Sequence, residues 1–484
     1  MILRKKGLIG GVSCTFLLAF LLVSGGVFAQ QLSSMRRAIE EGKKYAGTTI
    51  VVPWEAGLQA QAPYAMIPTW EKATGMKVEV VELDYLALHD KQIAEYLAGT
   101  GAYDVVTLSH PWMGDFVVGG LVEPLDPYID KYMLKEDLED ILPVYREGLM
   151  TYGGKIYGLG DDGDVFILYY RKDLIEDPQN MMEFESEYGY DLAPPKTWKE
   201  FQDIATFFTR KYAPKLYGAA MQRLPGQAYS WFVGPLVVNG GEFFDLETME
   251  PGINKAAGIK TLQQMVEQNK VMPPGVETWG FMEVLSAWLA GKTAMIITWP
   301  PIGRWSEGYG TYTKQLAWVP KTEIAGKVGY MPMPGGRSTL AAGFSLGVSS
   351  QSRNKEATYS FIQWWTSPEI SLQVTMLPFA LRDPWRLSHF ESPLYRNAWG
   401  NADEYLDTLR EAGINGQWEL GIPGGREYME ALDHAVTGAY GGEDPQKALD
   451  KASDTWKEIT NRLGKEVQRE AYKQWLQLLG ASPK

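Results

Sequence analysis

Two stretches far apart in the chain repeat one arrangement. Residues 96–112, YLAGTGAYDVVTLSHPW, and 288–301, WLAGKTAMIITWPP, each leave a helical pattern through Leu-Ala-Gly, enter an apolar strand, and end in Trp and Pro. Strand C-terminal ends are where open α/β sheets bind ligands. Two such ends, so far apart, predict two α/β lobes that both present aromatic rings to a shared crevice. The second stretch also contains Gly291-Lys292-Thr293, the tail of a phosphate-binding loop. That loop needs a glycine where Ser286 stands, and must lead from strand to helix. Here the order is reversed: Phe281 to Ala290 is apolar at helical spacing with Gly291 as its stop, and Thr293 to Trp299 follows as strand. Lys292 reads as a solvated cation near a helix C-terminus, and nucleotide hydrolysis is rejected.

The rest of the chain fits the alternation. A charged helical lead covers Leu32 to Tyr45, and Thr48 to Trp54 is a first strand. A helix from Tyr64 to Thr74 stops at Gly75, and Lys77 to Glu82 alternates as a second strand. A helix from Leu88 to Ala98 precedes the third strand, Tyr103 to Leu108. Lys155 to Tyr170 is a glycine-bounded crossover into the second lobe. Thr197 and Glu200 form a capping box, 329–336 is a second linker candidate, Phe344 to Val348 is a strand, and the tail from Arg426 is mostly helix.

The N-terminus is read separately. Arg4-Lys5-Lys6, an apolar run densest from Thr15 to Val23, and Val27-Phe28-Ala29 make a secretory signal peptide over 1–29, cleaved after Ala29. The sole cysteine, Cys14, lies before the densest apolar part, and Gly11-Val12-Ser13 is a poor lipoprotein signal, so a lipid anchor is not expected there. Cleavage would leave 455 residues without thiol chemistry and move the net charge from −13 to −16. With an isoelectric point near 5.0 and no basic run beyond Arg36-Arg37, nucleic acid is a poor partner. Aromatics are numerous, 17 Trp, 26 Tyr and 17 Phe; some fill two cores, while the excess of Trp beside Pro and Gly, away from helical stripes, points to an aromatic-lined cleft.

Several segments, in their shared order, resemble one family. They are Tyr103-Asp-Val-Val with Gly120-Leu-Val-Glu-Pro-Leu-Asp126, Leu168-Tyr-Tyr-Arg-Lys-Asp-Leu174, Pro195-Lys-Thr-Trp-Lys-Glu-Phe201, Asn239-Gly-Gly, Ala290 to Met295, Asn354 to Phe361, and Ala431 to Thr460. The chain resembles family 1 extracellular solute-binding proteins, the sugar receptors of ABC importers. The resemblance implies an α/β, two-lobed periplasmic-binding-protein fold of type II. Each lobe would be a mixed, mainly parallel sheet flanked by helices, with ligand in the inter-lobe cleft. Residues 30–46 would lead into an N-terminal lobe of 47–160 and 335–385, and a C-terminal lobe of 161–334 and 386–484. It further implies a periplasmic monomer that closes on a carbohydrate or polyol and delivers it to a membrane permease, with no catalysis and no cofactor.

A sugar offers hydroxyls and an apolar face, so its receptor needs stacking rings and side chains that pair hydroxyls. Trp54, Trp112, Trp299 and Phe344 sit at predicted strand or loop ends, with core packing as their alternative; Trp231 lies beside Gly and Pro in the second lobe. The family often has Gly-Gly-Trp where Ala342-Gly343-Phe344 stands, which makes Gly343 a candidate too. In Asp161-Asp162-Gly163-Asp164, the twelve-residue span and closing Glu of a calcium loop are missing. The resemblance favours Asp164 as a ligand-binding carboxylate. Arg382 matches a family element, and Arg426 opens the last helical region; both have surface salt bridges as their alternative. His110 is placed beside Trp112 in the cleft, while His89, His110, His389 and His434 lack metal spacing. Tyr169 and Tyr170 are strand neighbours facing opposite ways, so they cannot grip one metal. Two other functions compete: a secreted carbohydrate-processing enzyme using Asp164 with Asp162 or Glu55, and a sensor that docks a membrane receptor.

Overall fold

The computed structural model describes residues 32–337 and 339–478. The expected signal peptide, Cys14 and the cleavage site lie outside them. Eleven strands are described: β1 Thr49–Glu55, β2 Lys77–Leu83, β3 Val105–Ser109, β4 Thr151–Tyr152, β5 Lys155–Ile156, β6 Leu159–Gly160, β7 Ile167–Arg171, β8 Tyr217–Met221, β9 Thr293–Thr298, β10 Val328–Pro332 and β11 Phe344–Val348. Among the described residues no helix is long and apolar enough to cross a membrane.

The first lobe holds the parallel pair β1–β2 and a sheet of order β3-β11-β6. Asp104 ties them: its N–H donates to the Val51 carbonyl, and its carboxylate accepts from the Val51 N–H, both at 3.0 Å. The second lobe holds a sheet of order β10-β7-β9-β8, and β4–β5 is a small hairpin. Both lobes are mixed, but antiparallel pairings are more frequent than the sequence suggests. β11 runs against β3 and β6, and β7 against β9 and β10. The reason is the direction of travel. β1, β3, β8 and β9 end at the cleft between the lobes, whereas β7 and β11 begin there, because the chain has just crossed.

The predicted helix stop at Gly291 is present. The helix Phe281–Leu289 ends just before it, Gly291 takes φ +66°, and β9 follows while Lys292 stays exposed. The Thr197–Glu200 capping box forms as expected and opens the helix Trp198–Tyr212. One expectation changes: 329–336 is not a linker throughout, because its first residues are β10, paired with β7 from Val328 opposite Arg171.

The crossings lie side by side. Asp161 and Asp162 N–H groups donate to the Phe344 carbonyl at 2.8 and 3.1 Å, Ala342 N–H to Asp164 at 2.8 Å, and Phe166 N–H to Leu340 at 2.9 Å. Gly343 is required in this ribbon: its φ is +121°, and a Cβ there would stand 2.1 Å from the Asp162 carbonyl oxygen. Two further segments join it. Gly163 N–H donates to the Asp383 carbonyl at 3.1 Å, and Ala341 N–H to the Gln417 carbonyl at 2.8 Å.

Trp54 is not a cleft residue. Being on β1, it alternates in side with Glu55, and its ring faces the first lobe's core. It packs against Trp365 at 5.4 Å between centroids and Phe361 at 6.3 Å, next to the contact of Trp70 with Trp364 at 5.3 Å. The helix Lys355–Thr366 that carries these rings is buried from Ala357 onward and packs against the N-terminal helix Ser34–Gly42. The lead is therefore an integral part of the lobe. Truncation of a buried Trp costs ~3–5 kcal/mol. Trp54→Ala should show a loss of that size in urea unfolding; a loss below ~1 kcal/mol would remove the ring from the core.

Candidate functional site

A cavity of about 300 Å³ lies between the lobes where the strands end. From the first lobe come Glu55 ending β1, Tyr85 just beyond β2, Ser109 ending β3, and Phe344 opening β11. From the second come Gln222 after β8, Trp299 after β9, Phe281 at a helix start, and Tyr229 with Ser230 at the start of the helix Ser230–Val238. Asp164 and Gly343 line it from the crossing ribbon, and Glu419 from the segment beside it.

Of the candidates named from sequence, Glu55, Asp164, Trp299, Gly343 and Phe344 meet at this cavity. The others are placed elsewhere, each for a visible reason. Trp231 stands behind the wall: its ring packs on Phe166 at 4.4 Å, Phe166 packs on Trp299 at 4.1 Å, and its indole N–H donates to the Ile297 carbonyl at 3.3 Å. It braces Trp299. Tyr169 does so too, its hydroxyl donating to the Trp299 carbonyl at 2.9 Å. Trp112 is buried against Tyr85, 5.0 Å between centroids, and reaches only a neighbouring pocket of about 140 Å³. Arg426 lines that same pocket and pairs with Asp90 at 3.0 Å.

His110 is a packing histidine. Its Nδ1 is hydrogen-bonded to the Gly148 carbonyl, and its Nε2 accepts from the Trp475 indole at 3.2 Å. Burial pushes it down to about 4, so it is neutral. Arg382 is buried and committed to the Asp161 carboxylate at 3.0 Å and the Leu381 carbonyl at 3.0 Å.

Asp164 is a member of a group rather than a lone acceptor. One carboxyl oxygen from each of Asp162, Asp164 and Asp383 lies within 4.8 Å of the others. Burial, then the neighbouring carboxylates, raise Asp164 well above the usual range. Three carboxylates at this range cannot all ionise. Asp164 therefore holds a proton and donates it within the group, while Arg304, 3.7 Å from Asp383, offsets the remaining charge. The same donor set could hold a cation.

The sequence reading missed Tyr85, Gln222, Gln227, Tyr229, Phe281 and Glu419. Tyr85 and Gln222 follow strand ends, so the rule that found Trp299 reaches them. Gln222 accepts from the Thr298 hydroxyl at 3.2 Å, which leaves its amide N–H groups for a solute. Glu419 sits in an irregular segment with no such signal. Burial pushes its carboxyl up to about 7, against a hydrogen bond from Tyr229 that lowers it. Burial likewise raises Glu55 to about 7, opposed by Arg382.

Both glutamates hold a proton more tightly in the folded chain than their ordinary value of 4.5. The stability linked to that proton is full below about 4.5 and is lost as pH rises through about 7. Buried His110 and His389 act in the opposite sense, so one variant isolates the carboxyl. Glu419→Gln should gain melting temperature relative to the parent as solute-free protein is taken from about pH 5 to 8. A gap that stays constant with pH would show an unperturbed carboxyl.

Comparisons with known proteins agree with this geometry. The family model described as bacterial extracellular solute-binding protein matches residues 53–371. A probable amino-acid ABC transporter periplasmic-binding protein of Sinorhizobium fredii is 26% identical over 75% of this chain and 79% of its own. The galactooligosaccharide-binding protein of Bacillus subtilis is 25% identical over 85% of this chain and 89% of its own. Among solved structures, an ABC transporter solute-binding protein of Agrobacterium radiobacter K84 in complex with ribitol superposes with a TM-score of 0.71. It is 22% identical and covers 86% of this chain and 99% of its own. With a matching family model, two lobes and a cavity at their strand ends, the chain belongs to the bacterial extracellular solute-binding proteins.

Proposed function

We propose that the cavity captures a sugar, oligosaccharide or polyol, that the lobes close on it about the crossing ribbon, and that the loaded protein delivers it to an ABC-importer permease. One observation carries this reading. The cavity joins aromatic faces (Trp299, Phe344, Phe281, Tyr85, Tyr229) with hydroxyl-pairing side chains (Gln222, Gln227, Ser109, Ser230, Glu55, Glu419) drawn from both lobes. Rings supply the apolar contact that a sugar face needs, and amides and carboxyls pair its hydroxyls. Because both lobes contribute, a solute gains its full contacts only when they meet, so binding favours the closed arrangement. Among the proteins it is similar to, one is bound to maltose, one is a galactooligosaccharide-binding protein and one is in complex with ribitol.

The protein acts without catalysis, as a monomer, in the periplasm. The enzyme reading has acids available in Glu55, Asp164 and Glu419, so it is tested directly. Labelled oligosaccharides incubated with the protein should be recovered bound and unaltered; turnover would establish an enzyme.

Trp299 is held in place by Phe166 and Tyr169 while its ring borders the cavity. Burying an aromatic face contributes about 1.5–3 kcal/mol, so Trp299→Ala should weaken binding of the best solute from a carbohydrate and polyol screen by roughly 10- to 150-fold. Calorimetry gives the affinity, and circular dichroism confirms the fold. Unchanged affinity would place the solute away from Trp299.

A further inference from the structure

The charges around the cavity are one-sided. Three carboxyl groups, Glu55, Asp164 and Glu419, line it, and among the described residues no lysine or arginine does. The guanidinium groups felt by Glu55, Tyr85 and Asp383 are already engaged. Arg382 pairs with Asp161, Arg304 donates to the Thr375 and Ala380 carbonyls at 2.8 Å, and Arg426 pairs with Asp90 beside the neighbouring pocket. Five aromatic rings complete the wall.

A neutral polyol would be served by the amides and hydroxyls alone. When it displaces water it leaves Glu419 desolvated with no cation among the described residues facing it, and Glu55 with only Arg382, which is already paired with Asp161. That is costly unless they take up protons. An ammonium group in the same space changes the balance. It would form charge-assisted hydrogen bonds with the carboxylates, and the faces of Trp299, Tyr85 and Tyr229 attract cations. We propose that the preferred solute carries a protonated amine, as an aminated sugar or amino-polyol, with Glu55 and Glu419 as its counter-charges. This rests on the carbohydrate and polyol reading above and narrows it.

The surroundings of each acid set the pH signature. Glu55 faces Asp84 and Arg382; Glu419 faces Tyr229 and Tyr85; Asp164 faces Asp162, Asp383 and Tyr145. Tyr85 feels both Glu55 and Glu419, which places the two acids around one region of the wall. Asp164 stays protonated within its group. Glu55 and Glu419 change charge near neutral pH, so they answer to an incoming cation.

Matched pairs test this by calorimetry on the whole protein: D-sorbitol with D-glucamine, and ribitol with 1-amino-1-deoxyribitol, beside a panel of neutral oligosaccharides. Near pH 8, where these amines remain charged, each should bind at least about tenfold more tightly than its neutral partner. The preference should shrink near pH 5, as both glutamates take up protons. Glu419→Gln, an uncharged isostere, should lower the amine-to-neutral ratio near pH 8. Equal affinities, a preference for the neutral partner, or a ratio unchanged in Glu419→Gln would overturn the inference and leave the carbohydrate reading standing. No binding by any member of the panel, neutral or aminated, would overturn both.

Discussion

The structure turns on the buried carboxylate of Asp161. It receives the indole N–H of Trp54 at 3.2 Å, the indole N–H of Trp365 and the guanidinium of Arg382 at 3.0 Å. Those partners come from β1, from the central helix of the first lobe, and from the segment that runs beside the crossings. One residue thus locks a strand, a helix and two connections. A buried ion pair contributes little net stability when intact, but loss of one partner costs 3–5 kcal/mol, because the remaining charge is stranded. Its main effect is geometric: it fixes where the first crossing leaves the first lobe.

From that point the ribbon follows. Asp161 and Asp162 reach Phe344, Gly343 allows the second crossing to pass against the Asp162 carbonyl, and Asp383 docks on Gly163. These anchors hold both sides of the crossings, the arrangement that the proposed closure about the ribbon requires. The same ribbon carries Asp164 into the cavity, and its proton-sharing group lies immediately behind the solute space. Crossing ribbon and cavity therefore share Asp164.

The fold was legible because its signals are local and repeated. Helix stops at glycine, strands of alternating residues and the capping box at Thr197 all sit where their spacing puts them. The cavity was half legible. Trp299 and Phe344 border crossings or strand ends, and the rule that strand ends face the cleft finds them. Trp54 misled because the rule cannot tell which of two neighbours on a strand points outward; burial of one face decided it in favour of Glu55. Trp231 and His110 misled for another reason: aromatic and imidazole groups beside a cleft also serve as bracing. Glu419 left no sequence signal, and the run of Asp162 and Asp164 gave none that Asp383 joins it. They depend on residues up to a few hundred positions apart, such as Asp162 and Asp383, that meet only through the crossings.

The central claim is that a small solute occupies the space between the lobes, held by residues of both. A crystal structure of the protein with its tightest-binding solute tests it most directly. The account predicts one solute in the 300 Å³ cavity, stacked on Trp299 and hydrogen-bonded to Glu419 and Gln222. Solute bound instead in the smaller pocket beside Arg426, or on one lobe alone, would contradict it.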